Sequence, residues 1–230
     1  MRDFLRRLGW SFVGFLVLII RKGWPIVVGL IIAQLISGIV HAADVPHAAL
    51  AHRSELIRYG RHVWGMDAPT ATFAAQIQQE SDWNPKAASA VGARGLAQAM
   101  PSTAKDEAQR HAELRDIQLT DPVWGMHFLL TYDQDLWQLF TAKNDCQHMG
   151  KTLAAYNSGA GWIKRMEKKA KSQGKDAQTY FDIVELMPVG RSAAADKENR
   201  AYPRRIMFQY EPLYIRAGFG PGIAEGKSCA

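Results

Sequence analysis

Glu80 is a carboxylic acid in a position where an acid is costly. On a helical wheel turning about 100° per residue, with Phe73 at zero, Ile77 falls near 40° and Glu80 near −20°. Glu80 therefore shares the apolar stripe of its helix. A carboxyl group there loses hydration and its pKa rises. Kept protonated near neutral pH, it is a general acid. The plainer alternative is a side chain, one turn from a helix end, that reaches solvent. Residues 92–101, Gly-Ala-Arg-Gly-Leu-Ala-Gln-Ala-Met-Pro, form a loop with two glycines three apart, which permit tight turns and close approach to a ligand. Gln98 both donates and accepts hydrogen bonds, which suits a sugar N-acetyl or hydroxyl group. Met100 offers a flexible apolar wall, or fills core. Residues 154–161, Ala-Ala-Tyr-Asn-Ser-Gly-Ala-Gly, set Tyr156 and Asn157 at a helix-breaking turn. Polar tips at such a turn face a cleft; the alternative for Tyr156 is a core tyrosine with its hydroxyl satisfied.

The elements that position these residues read as helices. No period-2 alternation long enough for a sheet stands out, and no repeat is visible. Asp67-Ala68-Pro69-Thr70 starts a helix that runs to about residue 82 and stops at Asn84-Pro85. Thr120-Asp121-Pro122 starts another, with Met126, Leu129, Leu130, Leu136, Trp137 and Phe140 at helical steps. A short helix is expected over 150–156, an amphipathic basic one over 162–171, and others over 181–187 and 198–215. The Lys/Arg run of 162–171 reads as a solvated face. Residues 188–196 are small and flexible in character, and 217–230 form a Gly-rich, irregular tail. About 180 residues of helix suffice for one core.

Composition narrows the classes. At 47% apolar and 22% charged, the 230-residue chain is globular rather than disordered or fibrous. The net charge of +6 is uneven: residues 1–42 hold five of the 28 Lys/Arg and one acid, leaving +2 for residues 43–230. The basic balance is therefore an N-terminal feature and does not argue for a nucleic-acid partner. Two uncharged runs, 8–20 and 23–40, flank Arg21-Lys22. With all five basic residues on the cytoplasmic side, the expected span is 23–40, followed by an exported chain. Val40-His41-Ala42 is a small-x-small cleavage signal. Cleavage after Ala42 and a retained inner-membrane anchor both fit, and a buried helical hairpin is the third alternative. The expected organisation is an N-terminal basic segment and membrane or signal helix (1–42), a catalytic domain (43–216) and the tail (217–230). In an exported domain Cys146 and Cys229 pair as a disulfide, or stay as two buried thiols.

Three segments in order make a recognisable set: Glu80-Ser81-Asp82-Trp83-Asn84-Pro85, residues 89–103 and residues 154–161. Together they resemble the soluble lytic transglycosylase (SLT) family over about residues 55–215. Glu198-Asn199-Arg200-Ala201-Tyr202 is similar to that family's late Glu-Thr-Arg-x-Tyr motif, with Asn in place of Thr. A second departure is Gly125, where many relatives carry Asn. The resemblance implies an all-α, lysozyme-like fold of the goose-type lysozyme/SLT kind, acting on peptidoglycan glycan strands in the periplasm without metal or other cofactor. It implies that Glu80 is the single catalytic acid/base and that Ser81 positions it and the substrate N-acetyl group. Gln98, Met100, Tyr156 and Asn157 are then substrate-binding, as are Glu198 and Tyr202 with the departure at Asn199. The expected product carries a 1,6-anhydro ring. A lysozyme-type hydrolase and a non-catalytic glycan-binding assembly protein are the alternatives. The biological settings expected are phage lysis, a conjugation or secretion channel, and wall turnover, with partner proteins to match.

Overall fold

Among residues 45–224 and Cys229, which the computed structural model of the protein describes, every regular element is helical. The expected segment 1–42, with its span at 23–40, lies outside these residues. No helix among the described residues is long and apolar enough to cross a membrane. The helices are α1 (His47–Trp64), α2 (Thr70–Ser81), α3 (Pro101–Arg110), α4 (Pro122–Gln138), α5 (Asp145–Ser158), α6 (Ala160–Ser172), α7 (Ala193–Arg204) and α8 (Glu211–Arg216). Single 3₁₀ turns lie at Ala112–Leu114 and Val184–Leu186, and a π-helical turn, Arg205–Tyr210, joins α7 to α8.

The core is built around α2, whose first eight residues, from Thr70 to Ile77, are all buried. A helix buried on every side belongs at the centre of a bundle. The π-helical turn, α8, α1 and α4 surround it. Phe73, Ile77, Leu56, Met126 and Leu129 have no exposed surface there.

Helix starts follow local chemistry. At α4 the Asp121 side chain accepts the Trp124 N–H at 2.8 Å and Pro122 occupies the first turn, as Thr120-Asp121-Pro122 predicts. Helix α5 begins well before the expected 150, because Asn144 caps it, accepting from the Gln147 N–H at 2.9 Å. Helix α7 likewise begins inside the stretch expected to be flexible, since the Ser192 hydroxyl caps it through the Ala195 N–H at 3.2 Å. The segment expected to be helical over 181–187 holds only one 3₁₀ turn.

The described part of the tail, residues 217–224 and Cys229, is irregular, as expected, but it is packed. Phe219 has no exposed surface. The buried Glu211 carboxylate accepts the Ile223 and Ala224 N–H groups at 3.1 and 3.0 Å, and the Thr72 hydroxyl as well. Cys146, in the first turn of α5, is disulfide-bonded to Cys229, with 5.3 Å between the Cα atoms. The bridge spans 83 residues, which by chain-entropy arguments stabilises the fold by about 4 kcal/mol. Reduction is expected to lower the melting temperature by roughly 10 °C. Differential scanning calorimetry with and without reductant checks this; an unchanged melting temperature would show that the bridge contributes nothing to stability.

Candidate active site

Glu80 lies in the last turn of α2, partly buried. Beyond Ser81 the chain breaks sharply, with Asp82 and Trp83 both left-handed at φ 50° and 60°. Such angles are uncommon for residues other than glycine and need support from their surroundings. Trp83 supplies it. The side chain is buried, and its Nε1 donates to the Tyr214 hydroxyl at 2.6 Å. Tyr214 in turn donates to Gln78 Oε1 at 2.6 Å, so α8 anchors the helix end that carries Glu80.

The loop after α2 is shaped by its own backbone. Arg94 and Ala99 exchange N–H···O bonds of 3.1 and 2.9 Å, and the Gly95 N–H reaches the Ala87 carbonyl at 2.9 Å. Gly95 has φ +76°, and a Cβ there would lie 1.8 Å from the Leu119 carbonyl oxygen. Only glycine fits. The Gln98 side chain folds back onto the Gly95 carbonyl at 3.0 Å. Met100 is exposed where the loop meets α3. The Ser81 hydroxyl lies 2.9 Å from the Leu96 carbonyl oxygen and 3.3 Å from that of Ile77, tying the loop to α2. Gly125 also serves this packing: a Cβ on it would lie 3.3 Å from Leu96 Cβ. The departure at this position is thus matched to the close approach of α4 and the loop.

Two tyrosines close the arrangement from the far side. The Tyr156 hydroxyl donates to the Ala97 carbonyl at 2.7 Å, joining α5 to the loop. The Tyr202 hydroxyl, from α7, donates to Glu80 Oε1. The structure thus joins Tyr202 to Glu80 directly, and ties the loop that carries Gln98 to Ser81 and Tyr156 through its backbone carbonyls. Asn157 is exposed, and its Nδ2 points to the Asn199 Oδ1 at 3.4 Å. Glu198 is exposed and ion-paired with Arg205, whose Nε donates to Gln79 Oε1 at 2.9 Å. Both pair with residues of α7 or the turn after it, and neither is hydrogen-bonded to Glu80.

Burial pushes the Glu80 carboxyl up to about 7, and the Tyr202 hydrogen bond opposes that rise. At neutral pH Glu80 therefore populates both the acid and the carboxylate, as a group that gives and then takes a proton requires. Burial also holds the Tyr156 and Tyr202 hydroxyls well above their ordinary range, so both remain donors.

Asp133 and Gln76, buried side by side below Glu80, were not among the residues expected at the site. Elsewhere, Glu107, His111 and Asp135 hold one donor atom each within 4.8 Å of one another, a spacing that suits a metal ion. Arg110 is ion-paired with both carboxylates, and His111 Nε2 lies 2.9 Å from Asp135 Oδ2. Arg110 thus supplies this group with a cation of its own.

The Transglycosylase SLT domain model matches residues 63–179. Membrane-bound lytic murein transglycosylase F of Shewanella sediminis is 32% identical over 139 residues, which cover 60% of this chain and 26% of that protein. Soluble lytic murein transglycosylase of Escherichia coli K12 is 33% identical over 159 residues, covering 68% of this chain and 22% of that one. The chain thus spans about a quarter of the length of the curated relatives it matches. Among solved structures, an inactive glutamate-to-glutamine mutant of the lytic transglycosylase Slt from Pseudomonas aeruginosa superposes with a TM-score of 0.57 at 23% identity. It covers 77% of this chain and 26% of that one. The 70-kDa soluble lytic transglycosylase of E. coli superposes with a TM-score of 0.51 at 26% identity, covering 73% and 25%. The all-helical fold described above is the one these neighbours share.

Proposed function

The chain belongs to the transglycosylase SLT domain family, and on that premise we infer that it is a peptidoglycan lytic transglycosylase with Glu80 as its single acid and base. The observation that carries this reading is the Glu80 carboxyl itself, held by α2 on the Tyr202 hydroxyl and raised to about 7. Most glycosidases need two carboxyl groups flanking the scissile bond. Asp133, the acid that acts on Glu80 from α4, has no exposed surface and so cannot meet a sugar, and the exposed Glu198 is ion-paired with Arg205. A single group then performs both proton transfers. Protonated Glu80 gives its proton to the glycosidic oxygen between N-acetylmuramic acid and N-acetylglucosamine. The 2-acetamido group of the substrate supports the anomeric centre as the bond breaks. The Glu80 carboxylate next removes the proton of the muramic 6-hydroxyl, whose oxygen bonds to the anomeric carbon and closes a 1,6-anhydro ring. Every proton is accounted for, and no water is consumed.

Within this reading Ser81, Gln98 and Met100 line the loop side of the glycan and Tyr156 supports the loop. Asn157 and Glu198 form the outer contacts, and Tyr202 orients Glu80. The relatives named membrane-bound and soluble lytic murein transglycosylases support a cell-envelope setting and a peptidoglycan substrate. An N-terminal anchor at 23–40 or export with cleavage after Ala42, and service to a lysis system, a secretion channel or wall turnover, are parts of the same proposal.

The pH–rate profile tests it. Because Glu80 must start protonated, kcat/KM is expected to fall as pH rises through about 7. Tyr202→Phe removes the bond that stabilises the carboxylate, so the alkaline limb should move to higher pH while turnover drops on the order of tenfold. An alkaline limb that Tyr202→Phe leaves in place, or moves down, contradicts the assignment of Glu80.

A further inference from the structure

One buried acid beside Glu80 takes no part in the chemistry above. Asp133, on α4, has no exposed surface, and neither has Gln76, one helical turn before Glu80 on α2. The Gln76 Nε2 donates to Asp133 Oδ1 at 3.3 Å. The other polar atom of each group, Gln76 Oε1 and Asp133 Oδ2, has no hydrogen-bond partner among the described residues. Two orphaned acceptors on adjoining planar groups each carry the full cost of desolvation. Turning the amide over does not help, since that sets oxygen against oxygen. A single proton repairs both. Placed on Asp133 Oδ2, it makes that oxygen a donor, with Gln76 Oε1 as its acceptor, and closes the ring of two hydrogen bonds that a carboxylic acid forms with a primary amide.

The surroundings favour that proton. Glu80 acts on Asp133 from α2, and Asp133 acts on Tyr156 from α5, on Tyr202 from α7 and on Tyr132 of its own helix. None of these is a cation. Burial, the largest influence, drives the Asp133 carboxyl well above the usual carboxylate range, against the bond from Gln76.

We propose that Asp133 is held as a neutral carboxylic acid in a cyclic pair with the Gln76 amide, and that this pair is the positioning element that fixes α2 one turn beneath Glu80. A neutral Asp133 joins α4 to α2 without placing a negative charge beside Glu80. Glu80 is then free to titrate alone; an ionised neighbour would couple the two groups and push Glu80 further up. The positioning role rests on Glu80 being the acid of the reaction, whereas the proton on Asp133 does not.

Infrared difference spectra of the full chain test the proton directly. In a Glu80→Gln background at neutral pH, subtracting the spectrum that also carries Asp133→Asn should leave the carbonyl stretch of one protonated carboxyl. Glu107, which burial also raises to about 7, cancels in the subtraction. A difference that holds only ionised carboxylate overturns the proposal, whatever Glu80 does. The positioning role is read from turnover on peptidoglycan. Asp133→Asn still forms a two-bond pair with Gln76 and should keep kcat within about threefold, with the alkaline limb in place. Asp133→Leu cannot form the pair and should lose on the order of tenfold to a hundredfold in kcat with KM little changed. A downward shift of the limb in Asp133→Asn would mean that a negative charge had been removed, against the proposal. Full turnover in Asp133→Leu overturns the positioning role. Should that variant fail to fold, Gln76→Met, which strips Asp133 of its amide, is read in its place with the same outcomes. If Glu80→Gln itself proves active, the proposed function fails while the infrared result stands.

Discussion

Glu80→Gln is expected to leave a folded protein that has lost at least about 10³-fold in turnover on peptidoglycan. The amide keeps the shape of the side chain, and it still offers an oxygen to the Tyr202 hydroxyl that bonds Glu80. It can neither deliver nor retrieve a proton, and in the proposed mechanism one group does both. General acid–base contributions of about 10²–10⁴-fold apply to each transfer. The same substitution should stabilise the fold, with a definite pH dependence. The folded state keeps the Glu80 proton up to about 7, against a carboxyl model value of 4.5. Between those values the unfolded chain binds fewer protons, so Glu80 lowers the stability of the parent as pH rises. The variant lacks that penalty. It should match the parent near pH 4 and exceed it by about 2–3 kcal/mol near pH 8. Denaturant melts at both pH values check this. Equal stability of the two proteins across the range would show that Glu80 is not displaced from its ordinary range.

The second large effect is expected at Gly95. Gly95→Ala places a Cβ 1.8 Å from the Leu119 carbonyl oxygen and 3.0 Å from its carbon, at φ +76°. Backbone atoms on both sides must move. The move carries Leu96, which is fully buried, and Ala97, the acceptor of the Tyr156 hydroxyl. A loss of about 3–5 kcal/mol is expected, together with most of the activity. Gly92 provides the control. Its φ is +96°, but a Cβ there meets nothing within 4 Å. Gly92→Ala should therefore cost only the strain of its backbone conformation, on the order of 1 kcal/mol. Urea unfolding of both variants separates the two terms. If both lose the same stability, the contact with Leu119 is not what selects glycine at position 95.

The helical character of the chain and the place of Glu80 were legible because both rest on the spacing of apolar residues. The same spacing carried a second signal that went unread. Asp133 is four residues after Leu129 and three before Leu136, so it lies on the buried stripe of α4 just as Glu80 lies on that of α2. In the run Tyr-Asp-Gln-Asp its type is that of a surface polar residue, and only its place on the stripe, about 200° from Asp135, marks it as buried. Gln76 was hidden for the same reason. The bond between Tyr202 and Glu80 joins residues 122 apart, and no local pattern encodes it. Tyr202 was reached only through the resemblance. The early starts of α5 and α7 were written in Asn144 and Ser192, as capping residues, but with little apolar periodicity behind them. The tail has no period at all. Its order comes from the Glu211 carboxylate, Phe219 and the bridge to Cys146, contacts that exist only in the folded chain.

The most direct test of a single-glutamate transglycosylase is the mass of what it releases. Purified peptidoglycan digested by the protein with no metal added should yield muropeptides that end in 1,6-anhydromuramic acid. Each is lighter by one water than the corresponding hydrolysis product and resists borohydride reduction. Fragments that carry free reducing ends, at the full hydrolysed mass, would contradict the account and identify a lysozyme-type hydrolase.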